Sequence, residues 1–323
     1  MWYLLKIIFF LIWGLTLIYL IFLSCFTLII FNICLSVFVF WFSLTLIGWT
    51  IALIPILKFV FIPYHRRQCH NKQSNRLNIA FFHPYSNNIT GNERILWTII
   101  ETILKKHKHN IQIIIYTGDK SEEILQSIKE YFNIDLNVYQ SSIHFIHLQT
   151  RALLDEKNYR FLPLLGSNLG SMIVGFEALI RFLPDIYIDS MGYAFTYPCF
   201  HYLASIPIIS YVHHPIIQNH RITEEYPTTL TSRITLIYYE IFTYIYGWCG
   251  SHSKVIYCNS LWTKTQLESV WNSQLIYPPC DIKEFLVMNK DEQKMKSIVS
   301  IGEFRSEKNH QLQIRAFHEF LQR

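Results

Sequence analysis

Apolar and polar positions follow three successive patterns along this chain. From Ile7 to Leu57 the sequence is apolar almost without interruption, and no Asp, Glu, Lys or Arg lies between Lys6 and Lys58. A membrane-spanning helix takes ~20 apolar residues, so the run predicts either one transmembrane helix or a helical hairpin. It is too long for the apolar core of a signal peptide. Asn32 suits a hairpin turn, and equally a bundle-facing position inside one helix, so one span and two spans both stay open. Trp41, Trp49 and Tyr64 suit interface positions.

From Leu77 the pattern changes to short, β-branched apolar runs alternating with stretches at helical spacing. LNIAFF (77–82), IQIIIYT (111–117), IHFIHL (143–148), DIYIDS (185–190), PIISYV (207–212), KVIYCNS (254–260) and QLIYPP (274–279) read as strands. Helices are predicted over 92–106, 121–132, 168–182, 194–204, 230–248 and 261–271. Such alternation predicts an α/β domain with a parallel sheet covered on both faces. A polar stretch then leads to a third pattern. Ile298, Val299 and Ile301 read as a strand, Gly302 breaks it, Arg305 and Lys308 stand in a polar loop, and Ile314, Phe317 and Leu321 share one helix face. The predicted organisation is a membrane anchor over 1–64 and a basic juxtamembrane segment over 65–76. A complete Rossmann-like domain follows over 77–282, then a linker over 283–296 and the opening strand, loop and helix of a second such domain over 297–323.

Composition refines the first pattern. Hydrophobic residues make up 51% of the chain and charged ones 16%, against a usual ~25%, and the apolar N-terminal run accounts for most of the difference. Lys58, Arg66, Arg67, Lys72 and Arg76 follow that run while only Lys6 precedes it, so the positive-inside bias places the remaining chain in the cytosol. The net charge of +5 is modest and mostly beside the membrane, which excludes a nucleic-acid surface. Seven cysteines without a CxxC pair indicate neither a zinc site nor a disulfide framework. The sequon Asn88-Ile89-Thr90 is expected to stay unmodified on a cytosolic domain. Leu230 to Trp248 is apolar and aromatic, but Glu240 in its centre argues against spanning. It is read as a buried helix or as one lying in the membrane plane, with equal weight.

In open parallel sheets, ligands bind beyond the carboxyl ends of the strands. The polar residues there are His83, followed by Gly91, Glu93 and Arg94 at a helix start; Asp189; and His213, beside His214 and before Pro215. The bland reading of Glu93 is an acid near a positive helix end, and a lone histidine is more often structural than catalytic. At the C-terminus, Arg305 and Lys308 precede a helix N-terminus, an arrangement suited to a diphosphate.

Taken in order, FFHPYxN…GxERILW, YTGD, LGSxxxGFEAL, PDxYIDSMGYAFTYP, SYVHHP, NSxWT, YPPCD and SIGEFRxEKNHxLQIRAF resemble one family over Leu77 to Arg323. This is the asparagine-linked glycosylation alpha-1,2-mannosyltransferase family of the endoplasmic reticulum, retaining glycosyltransferases of family 4. The resemblance implies a GT-B architecture, in which two Rossmann-like domains face each other across a cleft. The first binds a lipid-linked oligosaccharide acceptor and the second GDP-mannose. It implies transfer of the fourth and fifth mannoses on the cytosolic face of the endoplasmic-reticulum membrane, with no metal and no cofactor beyond the GDP-mannose substrate. Other lipid-linked oligosaccharide mannosyltransferases are implied as possible partners. Arg305 and Lys308 match the donor-phosphate pair, and His213 the histidine at the cleft; Asp189 would orient acceptor groups. His83, Gly91, Glu93 and Arg94 fall in the acceptor or phosphate loop.

Two departures stand out. The glycine run usual before the Glu-Arg pair is replaced by Asn87-Asn88-Ile89-Thr90-Gly91-Asn92, which puts the phosphate cradle in doubt. The family's E-x7-E glutamates belong beyond Arg323; Glu122/Glu130 and Glu284/Glu292 share the spacing by accident. The chain is therefore expected to be C-terminally truncated, and a polypeptide of these 323 residues alone not to transfer mannose. The alternative is a catalytically inactive membrane-anchored scaffold or subunit.

Overall fold

The computed structural model describes residues 30–31, 33–45, 48, 52–71, 76–107, 110–216, 230–280, 297–302, 304 and 308–322. Asn32, Trp49, Arg305, most of the expected anchor and the expected linker 283–296 lie outside them. The chain divides into two compact units, Met1–Pro279 and Cys280–Arg323.

The first unit is built on seven parallel strands: β1 (Leu77–Phe82), β2 (Ile111–Thr117), β3 (Ile143–His147), β4 (Ile186–Asp189), β5 (Ile208–Val212), β6 (Val255–Cys258) and β7 (Gln274–Leu275). Their order is β3-β2-β1-β4-β5-β6-β7. β1 pairs with β2 from Leu77 opposite Ile111 to Phe82 opposite Tyr116, and with β4 from Ile79 opposite Ile186 to Phe82 opposite Asp189. The chain runs outward from β1 in one direction, then returns to β4 and runs outward in the other. The crevice between β1 and β4 is thus the topological switch point, where ligands enter doubly wound sheets.

Alternate side chains on β1 and β2 feed two cores. Ile79, Phe81, Ile113 and Ile115 pack under α2 (Gly91–His107) and α3 (Ser121–Phe132). Ala80, Phe82, Ile114 and Tyr116 face α4 (Pro163–Arg181) and α5 (Leu230–Gly250). Strands buried on both faces need apolar residues at consecutive positions, which explains their unbroken hydrophobic runs. Each Ile or Phe among them contributes roughly 1.5–3 kcal/mol through burial. Among the described residues, α4 is the helix long and apolar enough to cross a membrane, yet 44% of it is buried inside the domain. Its Gly170 meets the Leu153 carbonyl so closely that a Cβ would stand 2.2 Å from that oxygen, so only glycine fits there.

Two expectations need correction and a third needs refining. The first part of the 65–76 segment, to Asn71, packs on the domain rather than standing apart: a helix runs through Leu57–Phe61 into α1 (Ile62–Asn71), Ile62 is buried in the core, and Arg66 donates to the Ala204 carbonyl at 2.8 Å. Leu57–Phe61 is a π-helical turn. Pro63 lies just beyond it and cannot donate to the carbonyl four residues back, so the helix widens where that bond is missing. The helix expected over 194–204 forms along that whole stretch, but irregularly: a 3-10 turn, Ala194–Thr196, passes without a break into a wide turn, Cys199–Leu203. Pro198 has no N–H to donate, which fits the irregular bonding there, and Thr196 and Tyr197 place their hydroxyls on Tyr193 and the sheet. The strand expected at Ile298 is absent. Residues 297–302 form no ladder, for they have no pairing strand among the described residues.

In the second unit α7 (His310–Gln322) does form. Asn309 caps it, its side-chain oxygen accepting from the Leu312 amide at 3.2 Å. A short helix of the first unit, α6 (Leu261–Leu267), starts from Ser260, whose Oγ accepts from the Thr263 amide at 3.1 Å. That cap accounts for the Ser and Thr of the NSxWT motif.

Candidate functional site

β1 and β4 end side by side, and their next residues meet at the switch point. His83 is fully buried, with Nδ1 2.7 Å from the Ser190 hydroxyl and Nε2 3.2 Å from Glu93 Oε1. Glu93 stands in the first turn of α2, and its other oxygen accepts from the Thr90 amide at 3.1 Å and from the Thr90 hydroxyl. Burial raises the Glu93 carboxyl, but hydrogen bonds from His83 and Thr90 outweigh it and hold the group below the usual carboxylate range. Glu93 therefore does more than complement a helix dipole: it ties the loop to the strand end. The Ser190 hydroxyl has one proton and two acceptors in reach, His83 Nδ1 and the Phe82 carbonyl at 3.1 Å. Its choice depends on whether Nδ1 carries a proton.

His213 follows β5 on the same edge. Its ring packs edge-on to Tyr211 at 4.8 Å, and it is 9% exposed. Burial first, and then nearby His83, lower its pKa to about 4, against an opposing pull from Glu93 and a bond with the Ser190 backbone. The imidazole is thus neutral at physiological pH. Its Nδ1 is buried and has no hydrogen-bond partner within the protein. A neutral ring with an unpartnered buried nitrogen at a strand's carboxyl end leaves one hydrogen-bonding position unfilled where ligands enter such sheets.

Asp189 faces inward from the end of β4. It is fully buried; Oδ2 accepts from the Tyr197 hydroxyl at 2.6 Å and Oδ1 from the Met191 amide at 3.0 Å. The Tyr197 hydroxyl also lies 2.7 Å from Ser210. Burial raises the Asp189 pKa to about 6, against the lowering effect of Tyr197 and the Met191, Gly192 and Tyr193 amides. The carboxyl group closes the turn after β4, in which Gly192 takes a φ of +86° that side chains resist. Asp189 is a positioning residue for that turn, and Tyr246 fastens it from α5 by donating to the Gly192 carbonyl at 2.9 Å.

The β1–α2 loop is held to its neighbours rather than open. Asp119 of the YTGD motif accepts from the Asn87 amide at 3.0 Å and pairs with Arg151. The Arg151 guanidinium lies 5.2 Å from the Tyr85 ring centre, and Tyr85 donates to Asp155 at 2.7 Å. No residue from Asn87 to Gly91 has a positive φ. With the Asn87 and Thr90 amides already engaged, the loop is not the glycine cradle typical of phosphate sites. Gly91 is exposed, and a Cβ there would meet nothing within 4 Å. Arg94 is partly buried in the first turn of α2. Among the described residues no group of three or more His, Cys, Asp or Glu side chains is placed to hold a metal ion.

The structure thus joins His83, Glu93 and His213 into one cluster with Ser190, which sequence reasoning had not singled out. Lys308 lies in the second unit, exposed and just before the capped start of α7. The Ser190 contact spans 107 residues of chain, and no local pattern announces it.

A family model described as ALG11 mannosyltransferase N-terminus matches residues 76–271. The GDP-Man:Man(3)GlcNAc(2)-PP-Dol alpha-1,2-mannosyltransferase of Xenopus tropicalis is 43% identical over 268 residues, and that of Homo sapiens 40% over 270; each alignment covers 76% of this chain and 54% of the relative. The Dictyostelium discoideum enzyme is 35% identical over 276 residues, covering 78% of this chain and 54% of its own. The chain spans about half the length of these curated relatives. A crystal structure of Anabaena Alr3699/HepE in complex with UDP-glucose is similar with a TM-score of 0.35 at 10% identity, over 64% of this chain and 45% of that one. A likeness that slight carries no argument. With a family model over most of the described sheet domain and relatives from frog to slime mould, the chain belongs to the ALG11 mannosyltransferase N-terminus family.

Proposed function

We propose that this protein transfers mannose from GDP-mannose, in alpha-1,2 linkage and with retention, to a dolichol-diphosphate-linked oligosaccharide. It adds the fourth and fifth mannoses on the cytosolic face of the endoplasmic-reticulum membrane, anchored by its apolar N-terminal run. The observation that carries the reading is the neutral His213, with its Nδ1 unpartnered, beside the β1–β4 crevice, in a chain 43% identical over 268 residues to an enzyme named for this reaction. His213 hydrogen-bonds the transferred sugar or the acceptor hydroxyl. His83, Glu93 and Ser190 hold the crevice wall behind it, and Asp189 holds the turn beside it. Arg305 and Lys308, ahead of a helix N-terminus, neutralise the leaving diphosphate, so the developing charge needs no metal or other cofactor.

The test supplies GDP-mannose and Man(3)GlcNAc(2)-diphosphate-dolichol to the full-length protein in vesicles. We expect product sensitive to an alpha-1,2-mannosidase, and a loss of roughly a hundredfold or more in His213→Ala. Absence of transfer by the full-length protein would sink the reading. In that case a catalytically inactive membrane-anchored scaffold for other lipid-linked oligosaccharide mannosyltransferases, which the engaged amides of the Asn87–Thr90 loop favour, takes its place.

A further inference from the structure

The exposed side of α5 is as regular as its buried side. Ile237, Ile241, Tyr244 and Trp248 follow at intervals of four, three and four residues, one stripe on a helix turning about 100° per residue. They are 54%, 56%, 78% and 48% exposed. Phe242, Tyr246 and Cys249 take the opposite side and are buried against the sheet. A helix of the first unit that is apolar on both sides needs something to cover the second one.

The stripe continues beyond the helix. Trp248 stacks on exposed Tyr202 with ring centres 6.3 Å apart, and the Tyr202 hydroxyl lies 2.8 Å from His252. Tyr202 belongs to the Cys199–Leu203 turn, and that turn packs against Leu57–Phe61. Leu57–Phe61 leads directly out of the apolar N-terminal run, and its Phe59 and Val60 are themselves exposed. An apolar surface therefore links α5 to the point where the chain leaves the expected membrane, with Lys58, Arg66 and Arg67 beside that point. Trp and Tyr are the side chains that favour headgroup depth. Glu240 lies about 70° round the helix from the stripe, given 3.6 residues per turn. It lines a groove with Ser269 and Val270, whose other side is formed by Tyr244 and Trp248 of the stripe. A helix at headgroup depth leaves such a carboxylate in water; a spanning helix would not.

We propose that α5 lies in the plane of the bilayer surface, with Ile237, Ile241, Tyr244 and Trp248 set among the lipid headgroups. The domain then touches the membrane at two places, the N-terminal run and this stripe. The proposal builds on the membrane-anchor reading of residues 1–64. A second copy of the chain, or another protein, would be the alternative cover.

The test places p-benzoylphenylalanine at position 244, or at the exposed control position 131 on α3, in the full-length protein. The protein is reconstituted with tritiated phosphatidylcholine vesicles and irradiated. We expect at least a fivefold excess of lipid adduct at 244 over 131. Equal lipid labelling, or a protein adduct at 244 in place of lipid, overturns the proposal. Flotation after carbonate extraction reads the anchor separately. A chain that floats but does not label at 244 keeps the anchor and loses the α5 contact. A chain that labels at 244 yet is extracted by carbonate keeps the contact and loses the anchor. If neither occurs, both are lost.

Discussion

β1 and the segment 297–302 are written in the same hand: apolar, β-branched, followed by a polar loop and then an amphipathic helix. They end differently. Ile79, Phe81 and Phe82 are buried in a seven-stranded sheet, while Ile298, Val299 and Ile301 are 76% to 96% exposed and unpaired. Yet both helices form, α2 and α7 alike. A helix closes its hydrogen bonds within its own segment, whereas a strand must borrow partners from elsewhere. The same pattern therefore predicts a helix locally and a strand only on condition.

The widest gap between the two segments should appear in hydrogen exchange. Amides of Ile79–Phe82 are expected to exchange at least a thousandfold more slowly than those of Ile298–Ile301, since protection follows the free energy of opening. Equal protection would mean that the C-terminal segment is covered in solution. Substitution should show the next largest contrast. Phe82→Ala is expected to cost about 3–5 kcal/mol in denaturant unfolding of the solubilised protein, against less than ~0.5 kcal/mol for Ile301→Ala. A cost above ~1 kcal/mol at Ile301 would break the comparison.

A smaller effect tests the sheet unit's own edge. Asp189 has a folded pKa of about 6, above its ordinary 3.8, so between those values the folded state holds more protons than the unfolded one. Stability from this group is present below about pH 4 and falls as pH rises through 6, by on the order of 3 kcal/mol at most. Asp189→Asn should flatten that decline in unfolding followed from pH 4 to 7. An unchanged slope would show that Asp189 titrates normally. The Glu93 shift has the opposite sign: its contribution is present above the ordinary carboxylate range and lost on acidification.

Much of the sheet unit is legible in the sequence because each strand there is apolar at consecutive positions and each helix keeps its spacing. β1, β2 and α3 fall where the pattern puts them. α4 begins at Pro163, ahead of the expected 168, because proline is well placed in a first turn and the small residues after it pack closely rather than read as apolar. The candidate site is legible only in pieces. His83, Glu93 and His213 are recognisable as polar residues at strand ends, but their mutual contacts depend on pairings between distant strands. Ser190 looks like any turn residue until β1 and β4 lie side by side.

Ile62 is buried and Arg66 is tied to the Ala204 carbonyl, so the helix leaving the apolar run is fastened to the sheet domain. A loosely tethered enzyme sweeps a hemisphere and spends most encounters facing the wrong way. A domain on a stiff strut keeps a nearly constant height and heading above the bilayer, if that run is the anchor proposed. Under the proposed function, the search for a lipid-linked acceptor then becomes diffusion within a plane, and orientation is settled before the two molecules touch.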